Sequence, residues 1–277
     1  MRDLLHAWVE THATKIDIAR ASGYKHSSGV FLPCLFAVPA YLRSEGVIML
    51  RVVCAALFSI GLLNIVQADE LVPLKKGERI VFLGDSITQG GVGPKGYVTK
   101  IKEELQSKHK DLEIEIIGAG ISGNKVPNLQ SRVDKDVIAK KPTIVYIYIG
   151  INDVWHGEKD PAKGTTPEKF ESGLKEVIGK CTAAGAKVIL CTPTVIGEKK
   201  AGGNSLDAKL DEYAGISRKV AAELKLPLCD LRKAFVDYLK DNNPEDKEKG
   251  IITGDGVHLN EAGNKLVADT MLKMLAN

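Results

Sequence analysis

From Arg79 onward, the chain alternates short apolar runs with longer segments in which apolar residues recur at helical spacing. The apolar runs read RIVFLG, LEIEIIGAG, TIVYIYIG, KVILCTPTV and PLCDLR. The first, third and fourth runs are almost wholly apolar, which is typical of parallel strands covered by helices on both faces. The segments between and after the runs predict helices at about residues 97–109, 128–138, 167–184, 205–224, 234–241 and 261–275.

This alternation of strand and helix, repeated five times, predicts the fold class. We expect an α/β protein with a three-layer α/β/α sandwich and a five-stranded parallel sheet. In such folds ligands bind outside the carboxyl ends of the strands. The segments that follow the strands are therefore where chemistry is expected: GDSITQGG, GAGISGNK, GINDVWHG, CTPTVIGEKK and the loop that ends in GDGVHLN.

The sequence upstream of this pattern contains a different apolar segment, MLRVVCAALFSIGLLNIVQADE, which begins at Met49. One basic residue precedes an apolar run of about 15 residues, which is short for a membrane span. Val66 and Ala68 fit the small-residue pattern of a signal-peptidase site after Ala68. We therefore expect a signal peptide over residues 49–68, with an uncleaved membrane anchor as the alternative.

These features divide the chain into three parts. We expect residues 1–48 to be a gene-model extension upstream of the true start, and residues 69–277 to form one domain of ordinary size. A cleaved signal peptide implies a secreted or periplasmic protein with no stable membrane association after cleavage.

The composition excludes some partners. The 277-residue chain is 44% hydrophobic and carries a formal net charge of +3, which is too small to indicate nucleic-acid binding. Downstream of Ala68 the cysteines are Cys181, Cys191 and Cys229. An odd number argues against a full set of disulfides, and we expect buried free thiols.

The first polar segment, GDSITQGG, places Asp85 and Ser86 at the end of a buried strand. Ser86 could simply cap the helix that follows. Alternatively, it is a nucleophile held at the mouth of the sheet, which requires a base, an orienting acid and oxyanion donors elsewhere in the chain. For Asp85 we favour a structural role in tying down the loop.

A candidate base lies near the C-terminus. Downstream of Ala68 the histidines are His109, His156 and His258. His109 lies among lysines at a predicted helix end, and we expect it to be solvated. Asp255 precedes His258 by three residues, so in a turn its carboxylate could hold the imidazole tautomer. A capping turn is the alternative, and a metal site is less favoured because no further cysteine or histidine cluster accompanies the pair.

Candidate oxyanion donors follow the second and third strands. Gly120 and Gly123 in GAGISGNK would let a backbone N–H approach a ligand closely. The side-chain amide of Asn152, in GINDVW, could donate to a developing oxyanion. Each of these segments could equally be an ordinary turn.

Taken together, the blocks GDSIT, GISGN, GIND and DGVHLN resemble the four signature blocks of the GDSL or SGNH hydrolases. The chain has Ile87 where the name motif has leucine, a conservative change. The resemblance extends over essentially all of residues 79–277. It implies a flavodoxin-like sandwich of five parallel strands, in agreement with the pattern above, and a serine esterase that needs no metal or cofactor.

The resemblance also implies a role for each site residue. Ser86 would be the nucleophile and His258 the base, oriented by Asp255. Gly123 would donate a backbone N–H to the oxyanion hole, and Asn152 its side-chain amide. The expected substrate is a carboxylic ester, with O-acetyl groups on a carbohydrate or other small acyl esters favoured over lysophospholipids or thioesters.

Two further features leave alternatives open. The segment GVGPKG, residues 91–96, formally matches a dinucleotide-binding pattern, but no acid follows the second strand to bind a ribose. SITQGG also loosely resembles the phosphate loop of flavin binders. A catalytically inactive carbohydrate-binding module is the non-enzyme alternative. Trp155 and His156 either shape one wall of the pocket or, for Trp155, pack in the core.

Overall fold

Five parallel strands form the central sheet of this computed structural model, which describes residues 71–276. The proposed extension over residues 1–48 and the signal peptide over residues 49–68 lie outside the described residues. The strands are β1 Val72–Pro73, β2 Arg79–Gly84, β3 Glu115–Gly120, β4 Ile144–Tyr148, β5 Lys187–Cys191, β6 Leu228–Cys229 and β7 Leu275–Ala276.

The helices that the structure describes connect these strands. They are α1 Ser86–Gly91, α2 Tyr97–Lys108, α3 Val126–Asp136, α4 Ile151–Trp155, α5 Pro167–Ala183, α6 Asp207–Glu223, α7 Leu231–Asn242 and α8 Glu261–Leu272. Three short 3-10 helices lie at Lys110–Leu112, Ile138–Lys140 and Pro161–Lys163.

The sheet has the strand order β3-β2-β4-β5-β6 and every pairing is parallel. This order places the first strand of the sheet beside both the second and the third, which is the flavodoxin-like arrangement. The three-layer fold class predicted from the sequence is confirmed. The carboxyl ends of β2, β3 and β4 are therefore neighbours along one edge.

Helices cover both faces of the sheet. Helices α2, α7 and α8 pack together in one group, and α3, α5 and α6 in another. Every residue of β4 is buried, and so are all but the first residues of β2 and β5. Because successive side chains of a strand point to opposite faces, burial at successive positions means that each face is covered.

Aromatic residues fill the centre of the sandwich. Phe82 stacks on Tyr146 with ring centroids 5.0 Å apart, and the Tyr97 ring meets Phe82 edge-on at 5.9 Å. The buried tyrosine hydroxyls are paired: Tyr146 donates to the Met271 carbonyl, and Tyr148 bonds Thr194. Hydrogen bonding offsets the cost of burying these hydroxyls.

Several element ends differ from the sequence predictions. Helix α7 begins at Leu231, because the side chain of Asp230 accepts a hydrogen bond from the Lys233 N–H and caps the helix. The C-terminal helix ends at Leu272. The residues after it form β7, which pairs in parallel with β1.

The thiols and the helices add two findings. Cys181, Cys191 and Cys229 are buried and unbridged, as predicted. Within residues 71–276, no helix is both long and apolar enough to cross a membrane.

Candidate active site

In the turn after β2, the hydroxyl of Ser86 is not used to cap the helix that follows. The Asp85 side chain caps α1 by accepting a hydrogen bond of 2.9 Å from the Ile87 N–H, and Ser86 is the first residue of the helix. The interpretation of Ser86 as the helix cap is therefore wrong, because its neighbour satisfies the helix N-terminus. A Cβ on Gly84 would lie 2.1 Å from the Thr88 hydroxyl, so the strand must end in glycine for this turn to close.

Ser86, His258 and Asp255 form one chain of hydrogen bonds. The Ser86 Oγ lies 3.0 Å from the His258 Nε2, and the His258 Nδ1 lies 2.7 Å from the Asp255 Oδ2. Ser86 and His258 lie 172 residues apart in the sequence. The arrangement gives the imidazole one partner for each ring nitrogen, as proton transfer from the serine requires.

Asp255 is also held by its own turn. Its Oδ1 accepts hydrogen bonds from the N–H groups of Val257 and His258, at 2.9 and 2.7 Å. Partial burial opposes ionisation, but the hydrogen bonds from the His258 ring and from these two N–H groups outweigh it and lower the pKa of Asp255 to about 2. Asp255 is thus a carboxylate over the whole range in which imidazole titrates.

The loop after β3 approaches the Ser86 turn and carries Gly123. The Ile121 N–H donates to the Gly84 carbonyl, and the Ser122 N–H donates to the Gln89 side chain. Gly123 has a φ of 74°, a conformation that costs glycine little. Neither the Ser86 nor the Gly123 N–H has a hydrogen-bond acceptor within residues 71–276, so both can serve an oxyanion.

Asn152 is buried in the second position of α4, after β4. Its Nδ2 donates a hydrogen bond of 3.0 Å to the Asn124 carbonyl. An amide nitrogen carries two hydrogens, so this bond orients the group and leaves one hydrogen for another acceptor. Asn152 and the loop that carries Gly123 therefore lie at the same edge of the sheet as the Ser86 turn.

Two buried acids lie behind the site. Burial raises the pKa of Asp85 to about 7, against the hydrogen bond from Ile87, and the nearby charge of Asp153 raises it further. Burial likewise raises the pKa of Asp153 to about 6. The Asp153 Oδ1 accepts from the Val126 N–H at 3.0 Å, which ties α4 to the start of α3. Asp85 thus holds the start of α1, and Asp153 holds α4 against the start of α3.

Arg132 is a supporting residue that the sequence did not reveal. Its guanidinium donates to the carbonyls of Gly84 and Ala119, at the ends of β2 and β3, and to the Asn124 side chain. It therefore braces the loop whose Asn124 carbonyl orients Asn152. In the sequence, Arg132 falls in the polar stretch NLQSRVDKD, where a solvated helix face is the simpler expectation.

Glu198 is a second residue that the sequence did not reveal. It is fully buried, and its carboxylate accepts hydrogen bonds from the N–H groups of Ile251, Ile252 and Thr253 and from the Thr253 hydroxyl. The same Thr253 hydroxyl accepts from the Gly256 N–H. Glu198 thus anchors the loop that carries Asp255. Its segment, CTPTVIGEKK, is one of those where chemistry was expected, but an acid followed by two lysines does not indicate burial.

The remaining aromatic and histidine candidates have distinct places. Trp155 is partly buried, and its ring lies edge-on to the His258 ring with centroids 6.4 Å apart. Its ring therefore both packs against the core and faces the site. His156 lies beside Gly123 and is largely exposed; partial desolvation and the nearby charge of Lys125 lower its pKa. His109 is the residue that ends α2.

The alternative nucleotide sites do not have the required geometry. Residues 91–96 connect α1 to α2, whereas a dinucleotide-binding glycine motif connects a strand to a helix. The stretch SITQGG forms α1 itself. A helix of six residues leaves no open phosphate loop there.

Comparison with known proteins gives one consistent result. Residues 82–266 match the sequence profile of the GDSL-like lipase/acylhydrolase family. An acetylxylan esterase from Geobacillus stearothermophilus is 32% identical over 215 residues, which cover 71% of this chain and 93% of that protein. The crystal structure of the acetyl xylan esterase AlAXEase is 44% identical, with a TM-score of 0.69, over 72% of this chain and 100% of that chain. The structure of Axe2, an acetylxylan esterase from Geobacillus stearothermophilus, is 30% identical, with a TM-score of 0.65, over 74% of this chain and 96% of that chain.

Proposed function

The chain belongs to the GDSL-like lipase/acylhydrolase family, and we propose that it is a serine esterase that removes acetyl groups from a carbohydrate. The observation that carries the proposal is the chain of hydrogen bonds from Ser86 through His258 to Asp255. The names of its relatives support the substrate class, because the similar proteins from Geobacillus stearothermophilus and the protein AlAXEase are acetylxylan esterases.

In the first half of the reaction, the Ser86 oxygen attacks the acetyl carbonyl while its proton passes to the His258 Nε2. Asp255, ionised throughout, stabilises the imidazolium that forms. The N–H groups of Ser86 and Gly123 and the amide of Asn152 receive the oxyanion. The tetrahedral intermediate then breaks its bond to the sugar oxygen, which takes the proton from His258 and leaves as an alcohol.

In the second half, water replaces the sugar. His258 removes a proton from the water as its oxygen attacks the acetyl-serine, through the same oxyanion hole. The new intermediate breaks its bond to the Ser86 oxygen, which regains a proton from His258. The products are acetate and the free enzyme, so one water is consumed for each ester cleaved. Every proton transfer in this scheme passes through His258, and Asp255 stays ionised.

The direct test is acetate release from acetylated xylooligosaccharides, compared with a small aryl acetate. Replacing Ser86 by alanine should lower kcat by about 10⁶ on both substrates, as for other triad nucleophiles, while the melting temperature stays unchanged. Mass spectrometry should place a serine-directed organophosphate on Ser86. Near-normal turnover by folded Ser86→Ala protein would overturn the mechanism, and faster cleavage of lysophospholipids or thioesters than of sugar acetates would overturn the substrate class.

We further propose that the enzyme acts outside the cytoplasm, after cleavage behind Ala68. The support is the pattern of one basic residue, an apolar run and a small-residue site over residues 49–68. N-terminal sequencing of the protein recovered from the medium or periplasm should begin at Asp69. A retained segment upstream of Met49 would show that residues 1–48 are a real part of the protein.

A further inference from the structure

A cleft of about 520 Å³ opens beside the Asp255–His258 turn. Its volume is within the range of small-molecule sites in proteins. It is lined by Trp155, Glu158, Ile196, Gly197, Lys199, Gly203, Asn204, Ser205, Glu248, Lys249, Asp255, Gly256 and Val257. The lining combines one large aromatic ring with charged, amide and hydroxyl groups, and the Ser86 turn lies outside it.

Trp155 and Asp255 join the cleft to the active site. Trp155 lies on α4, three residues after Asn152, and its ring faces the His258 ring edge-on. Asp255 holds the other side of the same imidazole. His258 and Ser86 do not line the cleft, but two of its lining residues contact the His258 ring, so the cleft borders the active site.

Some polar groups of the cleft already form ion pairs or hydrogen bonds within the protein, and others have donors or acceptors to spare for a ligand. Lys199 and Glu248 form an ion pair of 2.6 Å, and the Asn204 amide donates to the Lys199 carbonyl and to Asp207. Glu158 and Lys249 are exposed and take part in no salt bridge within residues 71–276. The Glu158 Oε1 accepts one hydrogen bond of 3.4 Å from the Ser205 hydroxyl. Its other oxygen, as an acceptor, and the Lys249 ammonium group, as a donor, are therefore available to a ligand.

The chemistry of deacetylation decides what the cleft would hold. The departing sugar oxygen takes its proton from His258, so the sugar must lie within hydrogen-bond reach of that ring. The acetyl group itself is small and lies at Ser86. We propose that this cleft binds the saccharide units next to the acetylated one, with Trp155 as an apolar platform for a sugar ring and Glu158 and Lys249 as hydrogen-bond partners for its hydroxyls. The proposal rests on the proposed function and gives it a binding site.

A second groove provides the contrast. It has a volume of about 490 Å³ and is lined by Gly90, Gly93, Pro94, Lys95, Gly96, Leu259, Asn260, Glu261 and Asn264. It contains no aromatic ring, and its Lys95 and Glu261 already pair at 2.7 Å. Because it lies on the Leu259 side of His258, it is the matched alternative for a saccharide, and Lys95 is a suitable control position.

The test separates saccharide binding from ester cleavage. In the Ser86→Ala background, titration calorimetry would measure the Kd of deacetylated xylotetraose for the parent, for Glu158→Ala, for Lys249→Ala and for Lys95→Ala. Each cleft substitution should weaken binding about three- to tenfold, as expected for the loss of one hydrogen bond. Lys95→Ala should bind like the parent. With Ser86 restored, kcat/KM for acetylated xylotetraose relative to a small aryl acetate should fall by the same factors.

Two other outcomes would contradict the proposals. Binding unchanged by the cleft substitutions, or weakened by Lys95→Ala, would overturn the cleft assignment while acetate release from the saccharide keeps the proposed function. If the parent cleaves the aryl acetate but neither binds xylotetraose nor cleaves its acetyl esters, both the saccharide class and the cleft assignment are wrong. Normal melting temperatures of the variants, whose side chains are exposed, would exclude misfolding as the cause of lost binding.

Discussion

Asp85 and Ser86 are neighbours with different environments and different roles. Asp85 is buried and caps α1, whereas the Ser86 hydroxyl faces His258. The acid cannot act as the base of the reaction from this position, because its side chain is directed into the turn. The sequence predicted this division of roles, since only one residue of the pair could face the open edge of the sheet.

Replacing Asn152 distinguishes two roles of its side chain: stabilising the oxyanion and forming a turn. A donor to the oxyanion acts most strongly when charge has developed in the transition state. We therefore expect Asn152→Ala to lower kcat by about 10²–10³ with little change in KM. The lost bond to the Asn124 carbonyl should also cost about 1 kcal/mol of stability. Steady-state kinetics and thermal unfolding on one preparation measure both effects. A destabilised variant with full kcat would show that Asn152 only orders the loop.

Asp85 should make stability depend on pH. Burial raises its folded pKa from 3.8 to about 7, so the folded protein keeps a proton that the unfolded chain releases above about pH 4. Unfolding then releases a proton, and the free energy of unfolding falls as pH rises from about 4 to 7. Asp85→Asn mimics the protonated acid and keeps the oxygen that caps α1. Its stability relative to the parent should rise by about 2–4 kcal/mol across that window.

Urea unfolding of both proteins at several pH values measures this difference. Comparing the two proteins cancels the titration of groups that do not interact with Asp85. Asp153 interacts with Asp85, so the measured difference includes the coupling between these two acids. A difference in unfolding free energy that does not change between pH 4 and 8 would mean that Asp85 is ionised in the folded protein. This pKa shift could not be predicted from the sequence, because the burial of Asp85 depends on how β2, β3 and β4 pack around the turn.

The loop that carries Asp255 has little regular structure of its own and depends on Glu198. Three backbone N–H groups and one hydroxyl donate to this buried carboxylate. Glu198→Ala leaves those donors without an acceptor, at about 1–3 kcal/mol for each buried group left unsatisfied. We expect a loss of about 3–5 kcal/mol in stability and a large fall in kcat, because Asp255 and His258 lose their fixed position. Thermal unfolding and kinetics at a temperature below unfolding measure both.

Two further variants test whether the lost hydrogen bonds to Glu198 cause the changes in stability and kcat. Glu198→Gln keeps the oxygen that accepts from Ile252 and Thr253 and loses only the acceptor for Ile251, so its stability and kcat should lie between those of the parent and of Glu198→Ala. Glu248→Ala removes an exposed partner of Lys199 and should change stability by less than about 1 kcal/mol. Equal effects of Glu198→Ala and Glu248→Ala would contradict the anchoring role.

The elements themselves were predictable to different degrees. Strands β2, β4 and β5 were predicted from their continuous apolar runs, because parallel strands buried on both faces have this pattern. The end of the C-terminal helix was not, since Leu275 is apolar and fits a helix equally well. Its pairing with Val72 decides its structure, and contacts between the two ends of a domain leave no local signal in the sequence.

The whole molecule brings three distant segments to one edge of the sheet. The order β3-β2-β4 places the ends of three strands side by side, which is why motifs separated in sequence could be predicted to meet. The residues behind them, Arg132 and Glu198, were not predicted. Their role consists of hydrogen bonds to backbone groups of other segments, and a single charged residue in a polar stretch does not reveal such partners.

The exposed apolar side chains indicate how long an acyl chain the protein can bind. In residues 71–276 the large exposed apolar side chains are Leu71, Val92, Ile121 and Leu224, and scattered residues of this kind are normal on a soluble surface. Val92 follows α1 and Ile121 follows β3, so neither belongs to a long apolar segment. Leu71 lines a pocket of about 250 Å³, but this pocket lies at the start of β5, whereas Ser86 follows the carboxyl end of β2. These four residues therefore form no continuous apolar groove beside Ser86 that could bury a fatty acyl chain.

We therefore expect acetyl esters to be cleaved faster than octanoyl esters. An octanoyl chain adds about six methylenes, and burying each would contribute about 0.8 kcal/mol, or roughly 5 kcal/mol in all. An enzyme with an acyl groove could use that energy to raise kcat/KM by orders of magnitude along the series. Without such a groove the chain stays in water, and its bulk hinders approach to Ser86. Aryl esters from acetyl to octanoyl, measured below their micelle concentrations, give the comparison. A rise in kcat/KM with chain length, or a sharp increase once micelles form, would instead indicate a lipid acylhydrolase that uses an apolar surface assembled at the interface.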